Sequence, residues 1–267
     1  MINGTMIVHP KKRLGQHFLK DHNIAQKIVN CLDENMNHTV IEIGPGMGIL
    51  TKYLIPKSAD LYVVEIDNEA IAFLKMNFPR LQERLIHDDF LTLDLNKNFG
   101  KPLTLIGNFP YNISSRIFFK VLENKDLVSE VVCMIQKEVA ERISAGPGSK
   151  TYGILSVLLQ AFYKIEYLFT VNETVFDPPP KVKSGVIKIT RNNTTHLDCD
   201  EKLFFRVVKT GFNQRRKTLR NSLKSLLNGK TFELDIFNKR PEQLGVADFV
   251  FLTNFIENTY KKTTDTY

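Results

Sequence analysis

The sequence predicts an α/β fold with a second, smaller helical domain at its C-terminal end. Three observations predict it. Between Thr39 and Arg191, short apolar runs of strand length alternate with stretches of helical periodicity. The last of these runs follows its neighbour without a helix between them, and beyond Arg191 the periodic stretches are helical. Together they indicate a mostly parallel, seven-stranded sheet whose last strand is antiparallel, followed by a small all-helical domain.

The individual elements can be assigned in chain order. Seven runs have the composition of strands and occupy residues 39–44, 61–67, 84–89, 103–108, 130–135, 165–171 and 183–191. Helical patterns occupy residues 27–32, 68–78, 114–123, 137–144 and 152–163. Alternation of the two types predicts parallel strands with helices on both faces of the sheet. The run 183–191 follows 165–171 directly, so we expect it to pair antiparallel at the edge of the sheet.

The pattern changes after Arg191. Residues 192–200 are polar and loop-like, and helical patterns follow at 201–212, 217–227 and 246–260. We therefore predict two domains, residues 1–191 and residues 192–267.

Composition and charge limit the classes of protein that the chain can belong to. Hydrophobic residues make up 43% of the 267, which is enough for an ordinary folded core. Lys and Arg outnumber Asp and Glu by 36 − 29 = 7. An excess of this size favours a polyanionic partner such as nucleic acid, without requiring one.

Cysteine and histidine usage predicts neither disulfides nor a metal site. Cys31, Cys133 and Cys199 lie far apart, and the six histidines do not pair at metal-ligand spacing. The basic residues 11–13 are followed by no apolar run, and no stretch is long and apolar enough to span a membrane. We therefore expect a protein of the reducing cytoplasm, without signal peptide or membrane anchor.

A glycine-rich turn, residues 44–48, follows the first predicted strand of the sheet. Glycines in such a turn let the backbone approach a ligand and direct amide groups at it. Their spacing is GxGxG, and Ile49 stands where the dinucleotide fingerprint GxGxxG requires its third glycine. We therefore expect a nucleoside site to which Gly44 and Gly46 contribute, and the broken spacing argues against a nicotinamide oxidoreductase.

Acidic residues end the next two strands. Glu65 closes the second strand, where a carboxylate can accept both ribose hydroxyls of an adenosyl group. Asp88 and Asp89 close the third, where either carboxylate could accept a hydrogen bond from an adenine amino group. Ligands bind at the carboxyl ends of parallel strands, so the glycine turn and these acids should meet in one site.

The tetrapeptide Asn108-Phe109-Pro110-Tyr111 ends the fourth strand at the same edge of the sheet. The exocyclic N6 amine of adenine is a poor nucleophile because its lone pair is delocalised into the ring. Two acceptors, the Asn108 side-chain oxygen and the Pro110 carbonyl, would draw the amine towards tetrahedral geometry and localise that pair. Tyr111 would stack on the base, and a sulfonium donor then needs only in-line placement of its methyl group. The tetrapeptide therefore indicates adenine methylation, in RNA or in DNA.

A proline-rich segment, residues 176–182, leaves the sixth strand at that edge. Its prolines stiffen the loop and could hold Phe176 over the opposite face of a flipped base. Lys181 and Lys183 would meet phosphates of the nucleic acid. The alternative is a plain rigid connector with a phenylalanine in the core.

Six segments, in order over nearly the whole chain, are similar to the KsgA-type ribosomal RNA small-subunit (16S) adenine N6,N6-dimethyltransferases. They are KKRLGQHFLKD (11–21), EIGPGMGILT (42–51), VEID (64–67), GNFPYNIS (107–114), FDPPPKV (176–182) and FNQRRKTLRNSL (212–223). The first and last of them distinguish this family from methyltransferases at large.

The resemblance implies a Rossmann-like class I methyltransferase domain with a small helical C-terminal domain. It implies transfer of two methyl groups from S-adenosylmethionine to each of two adjacent adenines in a hairpin loop near the 3′ end of 16S rRNA. By position, it assigns donor binding and base stacking to two groups of residues: His17, Leu19, Gly44, Glu65, Asp89 and Asn108 for the donor, and Tyr111 and Phe176 for the base. His17 stands where the family often has Asn, and a half-buried histidine with a local partner is its alternative role.

Five basic residues lie close together in the second domain: Arg215, Arg216, Lys217, Arg220 and Lys224. Three of them recur every fourth residue, so on a helix Arg216, Arg220 and Lys224 would form one basic stripe. A solvated face is the plain interpretation of such a stripe. The net charge and the resemblance favour contact with RNA by four of them, Arg215, Arg216, Arg220 and Lys224. We expect Lys181 to contact RNA as well.

Two other functions stay open at this point. A large-subunit rRNA adenine methyltransferase of the macrolide-resistance type would share the donor site and the NFPY motif, but not segment 212–223. A non-catalytic ribosome assembly factor would keep the fold without the reaction, and the intact Asn108 and Glu65 argue against it. Nothing in the sequence requires more than a monomer, and we expect no metal in the reaction.

Overall fold

The structure, a computed structural model, describes residues 8–33 and 38–264. The chain divides into two units. The first contains the chain up to Ala140 together with Ile165–Arg191, and the second contains Glu141–Lys164 together with the chain from Asn192.

The described strands form two sheets. The strands are β1 (Phe18–Leu19), β2 (Thr39–Ile43), β3 (Leu61–Glu65), β4 (Leu85–His87), β5 (Leu103–Asn108), β6 (Val128–Gln136), β7 (Tyr163–Val171), β8 (Phe176–Asp177) and β9 (Ser184–Arg191). Seven of them form one sheet in the order β4-β3-β2-β5-β6-β9-β7, and β1 pairs with β8 separately. Neighbours from β4 to β6 are parallel, and β9 is antiparallel to β6. The predicted fold class is therefore confirmed.

The strand that we expected at the sheet edge lies inside the sheet instead. β9 pairs with β6 from Gln136 opposite Ser184 to Glu130 opposite Thr190. Its other neighbour is β7, which takes the edge. Val186, Ile187 and Ile189 of β9 are fully buried, and the interior position keeps these side chains out of water.

The central strands are largely buried because helices cover the sheet. All five residues of β2 are buried, as a strand packed on both faces requires. The helices of this part of the chain are α1 (His22–Val29), α2 (Thr51–Leu54), α3 (Asn68–Asn77), α4 (Leu95–Asn98), α5 (Ser114–Glu123) and α6 (Lys137–Ser144). Asp21, Asp67 and Asp94 cap the N-termini of α1, α3 and α4 by accepting hydrogen bonds from backbone amides.

The second unit is helical. Its α-helices are α7 (Ile154–Gln160), α8 (Glu201–Asn213), α9 (Leu219–Ser222) and α10 (Val246–Thr264). Helix α7 packs against α8 and α10, and for this reason residues 141–164, which we expected in the first domain, group with the second unit. Phe212 of α8 stacks on Phe249 of α10 with ring centroids 6.0 Å apart.

Short 3-10 helices complete the described secondary structure, at Lys12–Leu14, Pro79–Arg84, Glu173–Val175, Lys224–Leu227, Asp235–Asn238 and Pro241–Gln243.

The predicted single basic stripe does not form. Helix α8 ends at Asn213, so Arg216 lies in a turn, Arg220 in α9 and Lys224 in a 3-10 helix. The two breaks in the helix remove the fourth-residue repeat on which the stripe depended. Arg216 and Lys224 are exposed.

Two other basic residues of this group, Arg215 and Arg220, have partners within the second unit. Arg215 donates a hydrogen bond to the backbone carbonyl of Lys150. Arg220 forms an ion pair with Glu233 and donates a hydrogen bond to the side-chain oxygen of Asn238.

Candidate active site

A cavity of about 320 Å³ lies at the carboxyl ends of β2, β3, β4 and β5. This is the edge at which open α/β sheets bind ligands. Most of the residues predicted for donor and base binding line it: His17, Leu19, Gly44, Gly46, Glu65, Asp89, Asn108, Pro110 and Tyr111.

The glycine turn forms one wall of the cavity in a conformation that favours glycine. Gly44, Gly46 and Gly48 have φ angles of 65°, 55° and 74°. A Cβ atom on Gly46 would lie 2.8 Å from the ring of Phe18, so the glycine also makes room for the N-terminal segment. Side chains at these positions would therefore distort the wall.

The Glu65 carboxylate is oriented by three backbone amides. The Gly46 amide donates to Oε2 at 3.1 Å, and the Ile66 and Asp67 amides donate to Oε1 at 2.9 Å each. Burial of this side chain, which is 4% exposed, raises its pKa, and the three amides oppose that rise. The carboxylate is thus tied to the glycine turn and cannot rotate freely.

The loop after β4 supplies the next wall. Asp88 and Asp89 both line the cavity. Oδ1 of Asp89 accepts a hydrogen bond from the Leu91 amide at 2.9 Å. The Lys120 ammonium holds the loop from outside by donating to the carbonyl oxygens of Leu91, at 3.1 Å, and Leu93, at 2.5 Å. Burial lowers the pKa of Lys120.

The Asn108 side chain is held with its amide oxygen available as an acceptor. Its Nδ2 donates to the backbone carbonyl of His17 at 2.8 Å. Because Nδ2 is committed to that carbonyl, Oδ1 is left to accept a hydrogen bond, and no described residue donates to it. This is the orientation that binding of an amine requires.

Pro110 and Tyr111 follow on the same wall. The Pro110 carbonyl accepts a hydrogen bond from the Ile113 amide at 3.1 Å, which leaves its second lone pair for a ligand. The Tyr111 hydroxyl shares a hydrogen bond of 2.6 Å with Ser184, and burial raises the pKa of Tyr111. The tyrosine ring is therefore anchored at its hydroxyl end.

His17 has a local partner as well as a place in the cavity. Its Nδ1 lies 2.8 Å from the carbonyl oxygen of Pro178. A carbonyl can only accept, so Nδ1 carries the proton and donates it. The imidazole lies 5.5 Å from the Tyr111 ring, at an interplanar angle of 30°. His17 thus connects the N-terminal segment to the proline-rich loop.

Phe176 does not occupy the position that we predicted for it. Its ring is 1% exposed, packs in the core of the first unit and does not line the cavity. The residue is paired with Leu19 across β1 and β8, and this pairing turns the side chain into the core. Stacking on a base would require the ring to leave that core. Lys181, on the same loop, is exposed and lies outside the cavity lining.

Sequence reasoning missed three ionisable residues of the cavity lining: Glu42, Arg13 and Arg116. Glu42 is 1% exposed, and the Thr51 hydroxyl donates to its carboxyl at 2.6 Å. Burial raises the pKa of Glu42 to about 8, and the neighbouring Glu65 carboxylate adds to the rise. Glu42 could have been found from its place two residues before Gly44, whereas no sequence signal brings Arg13 and Arg116 together.

Within residues 8–33 and 38–264, no group of three or more His, Cys, Asp and Glu side chains could hold a metal ion. Across the same residues, no helix combines the length and the apolar character needed to cross a membrane.

Comparison with known proteins extends over nearly the whole chain. A family model described as "Ribosomal RNA adenine dimethylase" matches residues 8–254. Ribosomal RNA small subunit methyltransferase A of Bacteroides thetaiotaomicron is 60% identical over 262 residues, which cover 97% of this chain and 98% of that protein. The protein of the same name from Flavobacterium johnsoniae is 58% identical over 252 residues, with 94% and 97% covered.

Solved structures show the same likeness. A dimethyladenosine transferase from Plasmodium falciparum superposes with a TM-score of 0.77 at 26% identity, and covers 91% of this chain and 98% of its own. The 23S rRNA methyltransferase ErmE has a TM-score of 0.66 at 22% identity, with 89% and 99% covered, a likeness of fold alone. Given the extent of the family match and the identity to these relatives, the chain belongs to the ribosomal RNA adenine dimethylase family.

Proposed function

We propose that this protein transfers methyl groups from S-adenosylmethionine to N6 of two adjacent adenines in small-subunit (16S) rRNA, each of which becomes dimethylated. The proposed target lies in a hairpin loop near the 3′ end, and the proposed role is maturation of the small ribosomal subunit. Relatives about 60% identical are named ribosomal RNA small subunit methyltransferase A, which supports a small-subunit target. The large-subunit alternative has only a fold likeness at 22% identity in its favour.

The observation that carries the proposal is the orientation of Asn108. Its amide nitrogen donates to the His17 carbonyl, so Oδ1 is the atom that can accept an N–H of the target amine. The free lone pair of the Pro110 carbonyl can accept the second N–H. An RNA-binding assembly factor without catalysis has no need of such an arrangement, and we therefore favour an enzyme.

The residues at the donor end fit an adenosyl ligand. The Glu65 carboxylate, fixed by three amides, can accept hydrogen bonds from two adjacent ribose hydroxyls. Asp88 or Asp89 can accept from the adenine amino group of the donor. Gly44 and Gly46 allow the ligand to approach the backbone closely, and Leu19 offers an apolar wall. S-adenosylmethionine supplies an activated methyl group, and these residues hold it in place.

The proposed transfer localises the lone pair of the adenine N6. As Asn108 and Pro110 bind its two hydrogens, the nitrogen becomes tetrahedral and attacks the donor methyl carbon in line. The new N–C bond forms while the bond between that carbon and the sulfonium sulfur breaks, and sulfur leaves as a neutral thioether. The methylated nitrogen is then cationic and loses a proton to water. The first transfer removes one N–H, so a second needs only the other acceptor.

We further propose that the enzyme works as a monomer in the cytoplasm. Every side chain that this mechanism uses comes from one chain and from its first unit. The RNA-binding roles of Arg216 and Lys224 in the second unit, and of Lys181, stay part of the proposal, because all three are exposed cations. Arg215 and Arg220 would have to exchange their present partners for phosphate.

The proposal is tested with purified protein, S-adenosylmethionine and small ribosomal subunits that lack adenine dimethylation. Mass spectrometry of the rRNA should then find two adjacent N6,N6-dimethyladenosines, with large-subunit rRNA unmodified in a parallel reaction. Methylation of large-subunit rRNA instead would support the alternative target. Donor binding without any transfer would support an assembly factor.

A further inference from the structure

The cavity is polarised in charge. Apart from Glu42, which its raised pKa keeps protonated, its acidic residues are Glu65, Asp88 and Asp89, at or near the ends of β3 and β4. Among the residues that line it, the arginines and lysines are Arg13 and Arg116. The acidic end suits a donor that carries positive charge. The two arginines line it together with Tyr111 and Asn112, the residues that follow the Asn108 and Pro110 acceptors in the chain.

Arg13 is held beside the base-binding turn by its backbone. Asn112, the residue after Tyr111, donates from Nδ2 to the carbonyl oxygen of Arg13 at 3.4 Å. Gly15 packs so closely that a Cβ atom on it would lie 2.6 Å from Oδ1 of Asn112. These two contacts place the backbone of Arg13 next to Asn112, while its side chain is exposed.

Arg116 is the second arginine of the cavity lining. It lies in the first turn of α5, four residues after Asn112, and its side chain is exposed. Neither Arg116 nor Arg13 forms an ion pair with any carboxylate in the described part of the chain. Two arginines without an ion-pair partner therefore line the same cavity as Asn112 and Tyr111.

We propose that Arg13 and Arg116 bind the phosphodiester groups on either side of the adenine that enters the cavity. The inference rests on the proposed function, since it takes the ligand to be RNA. A base extruded from its strand leaves its two flanking phosphates at the entrance. The guanidinium fork matches two phosphate oxygens, and such contacts set position without reading sequence. Arg13 and Arg116 would thus hold the strand while Asn108 and Pro110 hold the amine.

The test compares Arg13→Gln, Arg116→Gln and the double variant with Arg80→Gln. Arg80 is an exposed arginine of the same unit that lies outside the cavity, so it controls for the loss of one charge. The affinity for unmethylated small-subunit RNA is measured over a salt series, and donor affinity is measured by calorimetry without RNA. All three substituted side chains are exposed, and thermal melting confirms folding.

Each variant at the cavity should weaken RNA binding on the order of tenfold, since a charged hydrogen bond to phosphate is removed. The slope of log affinity against log salt should fall by about 0.7 for each arginine, the value for neutralising one phosphate of a single strand. Donor affinity should not change, and Arg80→Gln should bind RNA within about twofold of wild type.

A second arm locates the two arginines on the RNA. A hairpin with neutral methylphosphonate linkages on both sides of the target adenine should bind wild type as weakly as normal RNA binds the double variant. The double variant should bind the modified hairpin no more weakly than normal RNA, because it has no arginine left to bind these phosphates. If the loss of affinity caused by the neutral linkages adds to the loss caused by the double substitution, the two arginines bind elsewhere on the RNA.

Two results would overturn the inference while leaving the proposed function intact. RNA affinity and salt slope equal to those of Arg80→Gln would mean that both arginines are only solvated. A loss of donor affinity instead of RNA affinity would assign them to the donor carboxylate. Wild type that transfers no methyl group to adenine would contradict the proposed function itself, whatever the variants do.

Discussion

Glu42 allows the magnitude of one substitution, Glu42→Gln, to be worked out from the structure. Its carboxyl is 1% exposed, and its hydrogen-bond partner is the Thr51 hydroxyl at 2.6 Å. Burial raises its pKa from 4.5 to about 8. Glutamine keeps the shape of the side chain and an acceptor oxygen for Thr51, but it cannot ionise.

A raised pKa in the folded state means that the folded protein keeps a proton which the unfolded chain loses. The stability contributed by Glu42 is therefore fully present below pH 4.5 and declines as the pH rises to about 8. The decline is about 1.4 kcal/mol for each pH unit, or on the order of 5 kcal/mol over the interval. Glu42→Gln has no proton to lose and should not show this decline. Its free energy of unfolding relative to that of wild type should therefore increase from pH 4.5 to about 8.

Urea unfolding of both proteins at several pH values between about 5 and 8 measures the difference in free energy of unfolding. Glu130→Gln is the matched control, because that buried carboxylate pairs with Lys188 at 2.9 Å. Breaking the pair should destabilise the protein throughout. If the difference between Glu42→Gln and wild type does not depend on pH, Glu42 titrates normally and our account of this buried acid is wrong.

Three further predictions concern the donor site and the RNA. Glu65→Ala should weaken S-adenosylmethionine binding by about tenfold or more, since a charged acceptor of ribose hydroxyls is worth about 1.5–3 kcal/mol; unchanged affinity by calorimetry would remove Glu65 from the site. Lys120→Met should raise the donor Kd about tenfold by freeing the loop after β4, whereas Lys57→Met, which frees a carbonyl away from the cavity, should not. An equal rise of the donor Kd in Lys120→Met and in Lys57→Met would indicate general destabilisation. Charge reversal at Arg216 and Lys224 should reduce the salt slope of RNA binding by about 0.7–0.9 for each phosphate that the protein no longer neutralises; an identical slope would mean that both are merely solvated.

Sequence patterns predicted best the helices with one buried face and the strands that are buried over most of their length. Helix α5 was predicted with its observed bounds, 114–123, and β5 likewise at 103–108. The glycine turn, Glu65 and Asn108 follow strands whose ends were visible in the sequence. Their convergence on one cavity was therefore predictable from the topology of parallel sheets alone.

Features that depend on pairing partners were not predictable in the same way. The antiparallel direction of β9 follows from the lack of a crossover α-helix between β7 and β9, but its place inside the sheet depends on which strand β6 accepts as a neighbour. The two-residue strands β1 and β8 carry no periodicity at all. Their pairing nevertheless decides that Phe176 faces the core rather than the cavity.

The basic residues after α8 show a limit of another kind. A repeat at every fourth residue means one face only if the helix is continuous. Here the helix ends at Asn213 and restarts as the short α9, so the charges leave their common line. His17 forms two hydrogen bonds of the site: its backbone carbonyl orients Asn108, and its ring is bound to Pro178. Neither hydrogen bond has a signature in the sequence.

The central claim is that the Asn108 amide oxygen binds the target amine during methyl transfer. The most direct test is the single-turnover rate of transfer to unmethylated small subunits by wild type and by Asn108→Ala, with donor and RNA both saturating. We predict a fall on the order of a hundredfold or more in a variant that stays folded and binds RNA as wild type does, because the missing acceptor acts mainly in the transition state. A near-normal rate in Asn108→Ala would contradict the account.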